Sequence, residues 1–319
     1  MAVVPPFSIK RGREPDRKMR GLKTKESEIK MSVTMLVVRP HPDDESSGTG
    51  GMLAHYHARG VRTGVVVCTG GEEGEIRDPG LDPVQDAPRL GEIRERELRD
   101  ACAILGVAEL RLLGYRDSGM ADAPANQHPE AFAQADAIEA AGRLVRIIRE
   151  LRPLVMVTEP PGGGYAHPDH IKCYQVSLDA FHAAADASAY PEAGAAWQVA
   201  KLYAIAQIDD GAWEGLIPEF KAAGFDIGSR HQRRRGPGPE TATVALDVRP
   251  YTEHQRRALL AHRTQVPPDS FWVSLPTELR RRAFATAYFI RLHPPAAPGE
   301  REQDLLDGLT RVDGAAPGV

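Results

Sequence analysis

Two polar runs rich in imidazole and carboxylate constrain this chain more than any other feature: His41-Pro42-Asp43-Asp44-Glu45 and, far downstream, His167-Pro168-Asp169-His170. The first follows Val33-Thr34-Met35-Leu36-Val37-Val38, a short, apolar, β-branched segment that reads as a buried strand. A polar turn, Gly48-Thr49-Gly50-Gly51, and then Met52, Leu53 and Tyr56 at helical spacing come after it. The second run repeats the grammar. Leu154-Val155-Met156-Val157-Thr158 reads as a strand, Gly162-Gly163-Gly164 as a loop, and Ile171 onward as a helix. In open α/β sheets ligands sit outside the carboxyl ends of the strands, so both polar runs are expected at one edge.

The rest of the chain keeps the alternation. Thr63 to Val67 reads as a strand, and Ile93, Leu98, Ala101, Cys102 and Leu105 mark an amphipathic helix that stops at Gly106. Leu110 to Leu113 reads as the next strand, and Ile138, Ala141, Leu144, Val145 and Ile148 mark the next helix. This predicts a Rossmann-like α/β fold, a mostly parallel sheet with helices on both faces. After Leu202 to Ile208 the pattern becomes mixed, with a helix from Thr252 to His262 and a late strand from Ala287 to Leu292, so a smaller mixed C-terminal part is expected. No internal repeat is evident.

With 319 residues the chain can bury a sizeable core. Residues 31–293 are expected as the folded domain, 1–30 as a disordered basic leader with Met31 as an alternative start, and 294–319 as a disordered Pro/Gly/Ala-rich tail. Arg233-Arg234-Arg235, between glycine and proline, reads as a solvated loop or as a flap over the site. A formal net charge of −4 and the lack of any bilayer-length apolar stretch imply neither a nucleic-acid nor a membrane partner. A homo-oligomer is left open. Cys68, Cys102 and Cys173 form no CxxC pair, and the leader lacks the apolar centre of a secretion signal, so a reducing, cytoplasmic setting is expected. The glycine run at 48–51 sits where a dinucleotide fingerprint would, but the third glycine of G-x-G-x-x-G falls on Leu53, which argues against nicotinamide binding.

Catalytic zinc takes three protein ligands and keeps one position open for water. The His and Asp residues of the two runs supply such a set, with others to spare for proton chemistry. Further motifs stand in order between Val33 and Leu292: Cys68-Thr69-Gly70-Gly71-Glu72-Glu73-Gly74, Arg116-Asp117-Ser118-Gly119-Met120, Gly163-Gly164-Tyr165-Ala166-His167 and Ala261-His262-Arg263-Thr264-Gln265. On these residues the chain resembles the LmbE-like (PIG-L) zinc deacetylases, and within them the mycothiol-pathway branch. That branch holds a deacetylase of an N-acetylglucosaminyl-inositol and a mycothiol S-conjugate amidase.

The resemblance implies a Zn2+ ion on His41, Asp44 and His170, with Asp43 as the general base. It implies His167 as an electrostatic stabiliser or acid, cationic beside a carboxylate, with Asp169 as its orienter and Tyr165 donating to the same oxyanion. Arg77 and Asp117 match substrate-binding positions, Glu45 and Ser46 line the pocket or cap the first helix, and His262 matches the mycothiol branch or caps a helix end. Cys173, one turn from His170, either approaches the metal or fills the core.

The expected function is therefore hydrolysis of the N-acetyl group of a small amino-sugar conjugate. The S-conjugate amidase reaction is the close alternative, although Gly48 stands where that branch tends to carry lysine. Relatives in a bacillithiol or antibiotic-tailoring pathway share the same chemistry. More distant alternatives are a magnesium-dependent phosphoryl hydrolase, against which two histidines at the metal argue, and a binding protein, against which an intact Asp43 and His167 argue.

Overall fold

A computed structural model describes residues 32–206, 213–226 and 241–309. The basic leader, Met31, the Arg233–Arg235 stretch and residues 310–319 lie outside the described residues.

The chain runs β1 (Met35–Arg39), α1 (Asp44–Ala58), β2 (Thr63–Thr69), α2 (Leu90–Leu105), β3 (Glu109–Tyr115), α3 (Ala137–Leu151), β4 (Val155–Thr158), α4 (Pro168–Ala185) and β5 (Lys201–Ile205). The mixed part follows: α5 (Ile217–Ala222), β6 (Val244–Asp247), α6 (Thr252–Ala261), the short α7 (Phe271–Ser274), α8 (Thr277–Ala283) and β7 (Thr286–His293). Seven strands form one sheet in the order β3-β2-β1-β4-β5-β7-β6. The first five are parallel; β7 pairs antiparallel with β5 and with β6.

Strands β1, β2 and β4 are buried along their whole length, as continuous apolar runs under helices on both faces require. One core, with Leu144, Val145, Ile148, Val176 and Phe181, lies under α3 and α4. The other, with Met52, Leu53, Tyr56, Leu98, Leu105 and Ala258, lies under α1, α2 and α6. Val37 of β1 is in register with Val65 of β2 on one side and Val157 of β4 on the other. The chain first winds outward through β2 and β3, then returns past β1 to β4. The crevice at the carboxyl ends of β1 and β4 is thus the topological switch point, where open α/β sheets bind ligands.

Three local expectations are corrected. Helix α1 begins at Asp44, so Gly48, Gly50 and Gly51 lie inside it and not in a loop before it. Asp44 and Glu45 in the first turn suit the helix dipole, and the missing side chains allow close packing. A Cβ on Gly51 would stand 3.0 Å from Val248, and one on Gly50 would stand 3.2 Å from Gln255. Helix α4 begins at Pro168, earlier than Ile171, because His167 is its N-cap and proline suits the first helical position. Finally, residues 294–309 pack against the sheet and do not form a loose tail. Leu305 is fully buried, Glu302 accepts from Lys201 Nζ at 2.6 Å and Tyr203 Oη at 2.8 Å, and Asp304 accepts from Tyr56 Oη at 2.8 Å.

Candidate active site

The turn after β1 is folded by its own carboxylates. The His41 amide donates to Asp44 Oδ2 at 3.0 Å and the Asp43 amide donates to Glu45 Oε2 at 2.9 Å. Asp43, the N-cap of α1, has φ 104°, a region that non-glycine residues avoid at a cost of about 1–3 kcal/mol. Opposite, the loop after β4 places Gly162, Gly163 and Gly164 all at positive φ. A Cβ on Gly163 would stand 2.7 Å from the Ile171 amide nitrogen, so the loop can lie against the start of α4 only as glycine.

These two loops bring His41, Asp44 and His170 together, one donor atom from each within 4.8 Å of the others. Asp44 Oδ2 lies 3.3 Å from His41 Nδ1 and 3.5 Å from His170 Nε2. Donors about 2.0–2.2 Å from a tetrahedral zinc ion stand roughly 3.3–3.6 Å apart, so the set fits such an ion. The other ring nitrogens face carboxylates, the usual support of a ligating histidine. His41 Nε2 donates to Asp169 Oδ2 at 3.1 Å and lies 3.5 Å from Asp117 Oδ1; His170 Nδ1 lies 3.1 Å from Glu159 Oε2.

His41, Asp117, His167 and Asp169 form a second group close enough for a cation. Its carboxylates are already engaged: the Ser118 amide and hydroxyl both donate to Asp169, and the Gly119 amide donates to Asp117 Oδ1 at 2.8 Å. The first group is the better metal site.

Electrostatics follow from the burial of so many charges. Burial opposes a charge on His41, but contacts with Asp117, Asp169 and Asp44 outweigh it and hold its pKa well above the ordinary value. A metal cation meets the same demand for positive charge. Burial would raise the Asp44 carboxyl, yet the His170 and Arg39 charges and the His41 contact hold it well below the usual range. Asp43 is pushed up to about 6 by burial and by Asp44, against the pull of Arg94, whose Nη2 lies 3.1 Å from Asp43 Oδ2.

Two expected roles change here. The Asp169 carboxylate orients His41, not His167; only its backbone amide meets His167, donating to Nδ1 at 3.2 Å. Burial and the neighbouring His41 charge push His167 down to about 4, so it is neutral near pH 7 and not held as a cation. With Nδ1 accepting, the single proton sits on Nε2, 4.0 Å from Asp117 Oδ1. Tyr165, 42% exposed, brings its hydroxyl 3.2 Å from His170 Nε2.

The expected substrate contacts divide. Asp117 stands within the site. Arg77 does not join it: the side chain is half-exposed and pairs with Glu75 at 2.5 Å. Glu45 and Ser46 are fully buried, so neither lines a pocket; the Ser46 hydroxyl donates to Glu45, whose Oε1 lies 2.8 Å from His262 Nε2. His262 is fully buried and supports the Asp44-bearing turn through Glu45. Cys173 is core, its thiol 3.7 Å from the Val38 carbonyl.

Sequence reasoning missed Arg39, Glu159 and Arg94. The first two had a signal: each is a charge at the carboxyl end of an otherwise apolar strand. Arg94 had none beyond its place on an amphipathic helix. Arg39, Asp44, Glu159, Tyr165 and His170 line a cavity of about 380 Å³ whose far wall is apolar, including Met52, Ile205 and Trp272.

The profile of the family described as GlcNAc-PI de-N-acetylase matches residues 36–181. The chain is 40% identical over 299 residues to the 1D-myo-inositol 2-acetamido-2-deoxy-alpha-D-glucopyranoside deacetylase 1 of Catenulispora acidiphila, covering 89% of this chain and 92% of that one. It is 41% identical over 299 residues to the corresponding deacetylase of Acidothermus cellulolyticus, with coverage of 90% and 98%. Among solved structures, the N,N'-diacetylchitobiose deacetylase of Pyrococcus horikoshii shares the fold, with a TM-score of 0.58 at 17% identity over 88% of this chain and 95% of that one.

Proposed function

Since the chain belongs to the PIG-L family of de-N-acetylases, in its mycothiol-pathway branch, we infer that it removes the N-acetyl group of an N-acetylglucosaminyl-inositol, using zinc held by His41, Asp44 and His170. The reaction is hydrolysis of a non-peptide amide, and the products are acetate and a free amine. The observation that carries the reading is the spacing of the three donor atoms, 3.3 and 3.5 Å about Asp44 Oδ2, with Asp43 next to them in the chain.

Zinc at that position would supply Lewis acidity, polarising the amide carbonyl and bringing the pKa of water towards about 7. The other steps belong to side chains. Asp43 accepts the proton of the attacking water, for which a pKa of about 6 suits a base working near neutrality. His167, neutral with its proton on Nε2, donates to the carbonyl oxygen as negative charge develops there. Tyr165, whose hydroxyl lies 3.2 Å from His170 Nε2, would be free to turn to the same oxygen as His167 were that nitrogen to hold a metal. The proton held by Asp43 passes to the departing nitrogen, which leaves as the amine. Asp117, beside His41 and His167, is placed to accept a hydrogen bond from a sugar hydroxyl.

The test is amine release from synthetic N-acetylglucosaminyl-inositol, set against a mycothiol S-conjugate at equal concentration. Preferential release from the acetyl sugar supports the reading. Faster cleavage of the S-conjugate would reassign the chain to the amidase reaction.

A further inference from the structure

Arg39 and Glu159 take no part in the reaction as described, yet both are buried, charged and in contact with proposed ligands. Arg39 is the last residue of β1 and Glu159 follows the last residue of β4, so the two strands that frame the crevice each end in one half of an ion pair. Arg39 Nη1 lies 2.5 Å from Glu159 Oε1, with side chains 6% and 4% exposed. The pair closes a ring around two ligands: Arg39 Nη2 is 3.5 Å from Asp44 Oδ1, Glu159 Oε2 is 3.1 Å from His170 Nδ1, and His170 Nε2 is 3.5 Å from Asp44 Oδ2.

Stability does not account for this pair. Removing two charges from water costs about as much as their attraction returns unless further hydrogen bonds satisfy them. Here Arg39 Nε is buried with no acceptor, and the Arg39 Nη1–Glu159 Oε1 and His170 Nδ1–Glu159 Oε2 contacts are ion pairs outside hydrogen-bond geometry. The surroundings nevertheless make room for the guanidinium. A Cβ on Gly48 would stand 2.9 Å from Arg39 Nη2, so a side chain at position 48 would have to displace the end of the arginine.

We propose that Arg39 and Glu159 act together as a positioning unit for the metal ligands, a role that rests on the zinc reading above. Arg39 engages Asp44 Oδ1 and leaves Oδ2 turned towards the histidines. Glu159 faces His170 Nδ1, which fixes the ring and leaves Nε2 as the coordinating nitrogen. Neither residue touches the reacting atoms. The pair sets how tightly the ion is held and how constant its geometry stays through turnover.

The test is zinc affinity of the full-length protein, stripped with chelator and titrated with zinc against a chromogenic competitor. Wild type, Glu159→Gln, Arg39→Met and Arg39→Lys are compared, with circular dichroism confirming the fold of each. Glu159→Gln and Arg39→Met each weaken zinc binding about 10- to 100-fold, as loss of such a partner does. The double variant weakens it by less than the product of the two losses, because the residues act as one unit. Arg39→Lys keeps the charge and recovers part of the affinity. At saturating zinc the KM for the acetyl sugar stays at the wild-type value. Zinc affinity within twofold of wild type in folded Glu159→Gln and Arg39→Lys would overturn the proposal, even if Arg39→Met failed to fold. So would a rise in KM with zinc affinity unchanged, which would make the pair a substrate contact. A wild-type protein that binds no zinc would instead overturn the metal reading itself.

Discussion

Asp43 is under the most opposed forces of any residue in the site. Burial and Asp44 raise its pKa, Arg94 lowers it, and its backbone is held at φ 104°. The proposed base must be ionised, so kcat/KM falls as pH drops below about 6, or at a lower pH still if the bound cation adds its own pull. Asp43→Asn keeps the ion and loses most turnover. In metal-free protein the same substitution has a second effect. A carboxyl raised from 3.8 to about 6 on folding contributes stability at low pH that is lost as pH rises through about 6. Asp43→Asn is therefore more stable than wild type above that pH, by at most about 3 kcal/mol. The gain is smaller in practice because 26% of the side chain meets solvent. Thermal melts in chelator at pH 5 and pH 8 read the difference, which builds up between pH 3.8 and about 6 and so should be about half as large at pH 5 as at pH 8. Asp169 makes the complementary case. Its carboxylate holds His41, so Asp169→Asn should weaken zinc binding about 10- to 100-fold by competitive titration. An unchanged zinc affinity with an altered pH profile would return Asp169 to His167.

At the scale of elements, the crevice is made by two strand–loop–helix units whose loops have no slack. Gly163 shows this best: at φ +74°, with the backbone of Ile171 and His170 where a Cβ would go, it allows no other residue. Gly163→Ala should cost roughly 2 kcal/mol or more by denaturant unfolding, from left-handed backbone strain together with the clash. It should lower kcat as well, because the same loop carries Tyr165 and His167. A variant with wild-type stability would mean the loop can move away from α4. The two units were legible in the sequence because their strands are unbroken apolar runs and their loops concentrate histidine, aspartate and glycine. The start of α1 was not. Glycine is a poor helix former, so Gly48, Gly50 and Gly51 read as loop, and only tertiary packing against Arg39, Gln255 and Val248 explains why they lie within a helix. The pairing of Arg39 with Glu159 was equally out of reach, since it joins two strand ends that become neighbours only when β4 returns beside β1.

For the whole molecule, the parallel half builds the site and the antiparallel end supports it. Helix α6 lies on α1, and its C-terminal His262 reaches Glu45 beneath the first ligand turn. Residues 294–309, which composition marks as a tail, close the sheet because Leu305 and the carboxylates of Glu302 and Asp304 find partners that sequence spacing does not show. The central claim, that one zinc ion on His41, Asp44 and His170 drives N-deacetylation, is tested most directly by titrating zinc into chelator-stripped protein while following amine release from N-acetylglucosaminyl-inositol. Activity should be absent without metal, rise in proportion to zinc up to one equivalent, and fail to rise in Asp44→Ala over the same range. Full turnover by the stripped protein, or saturation at one equivalent in Asp44→Ala as in wild type, would contradict it.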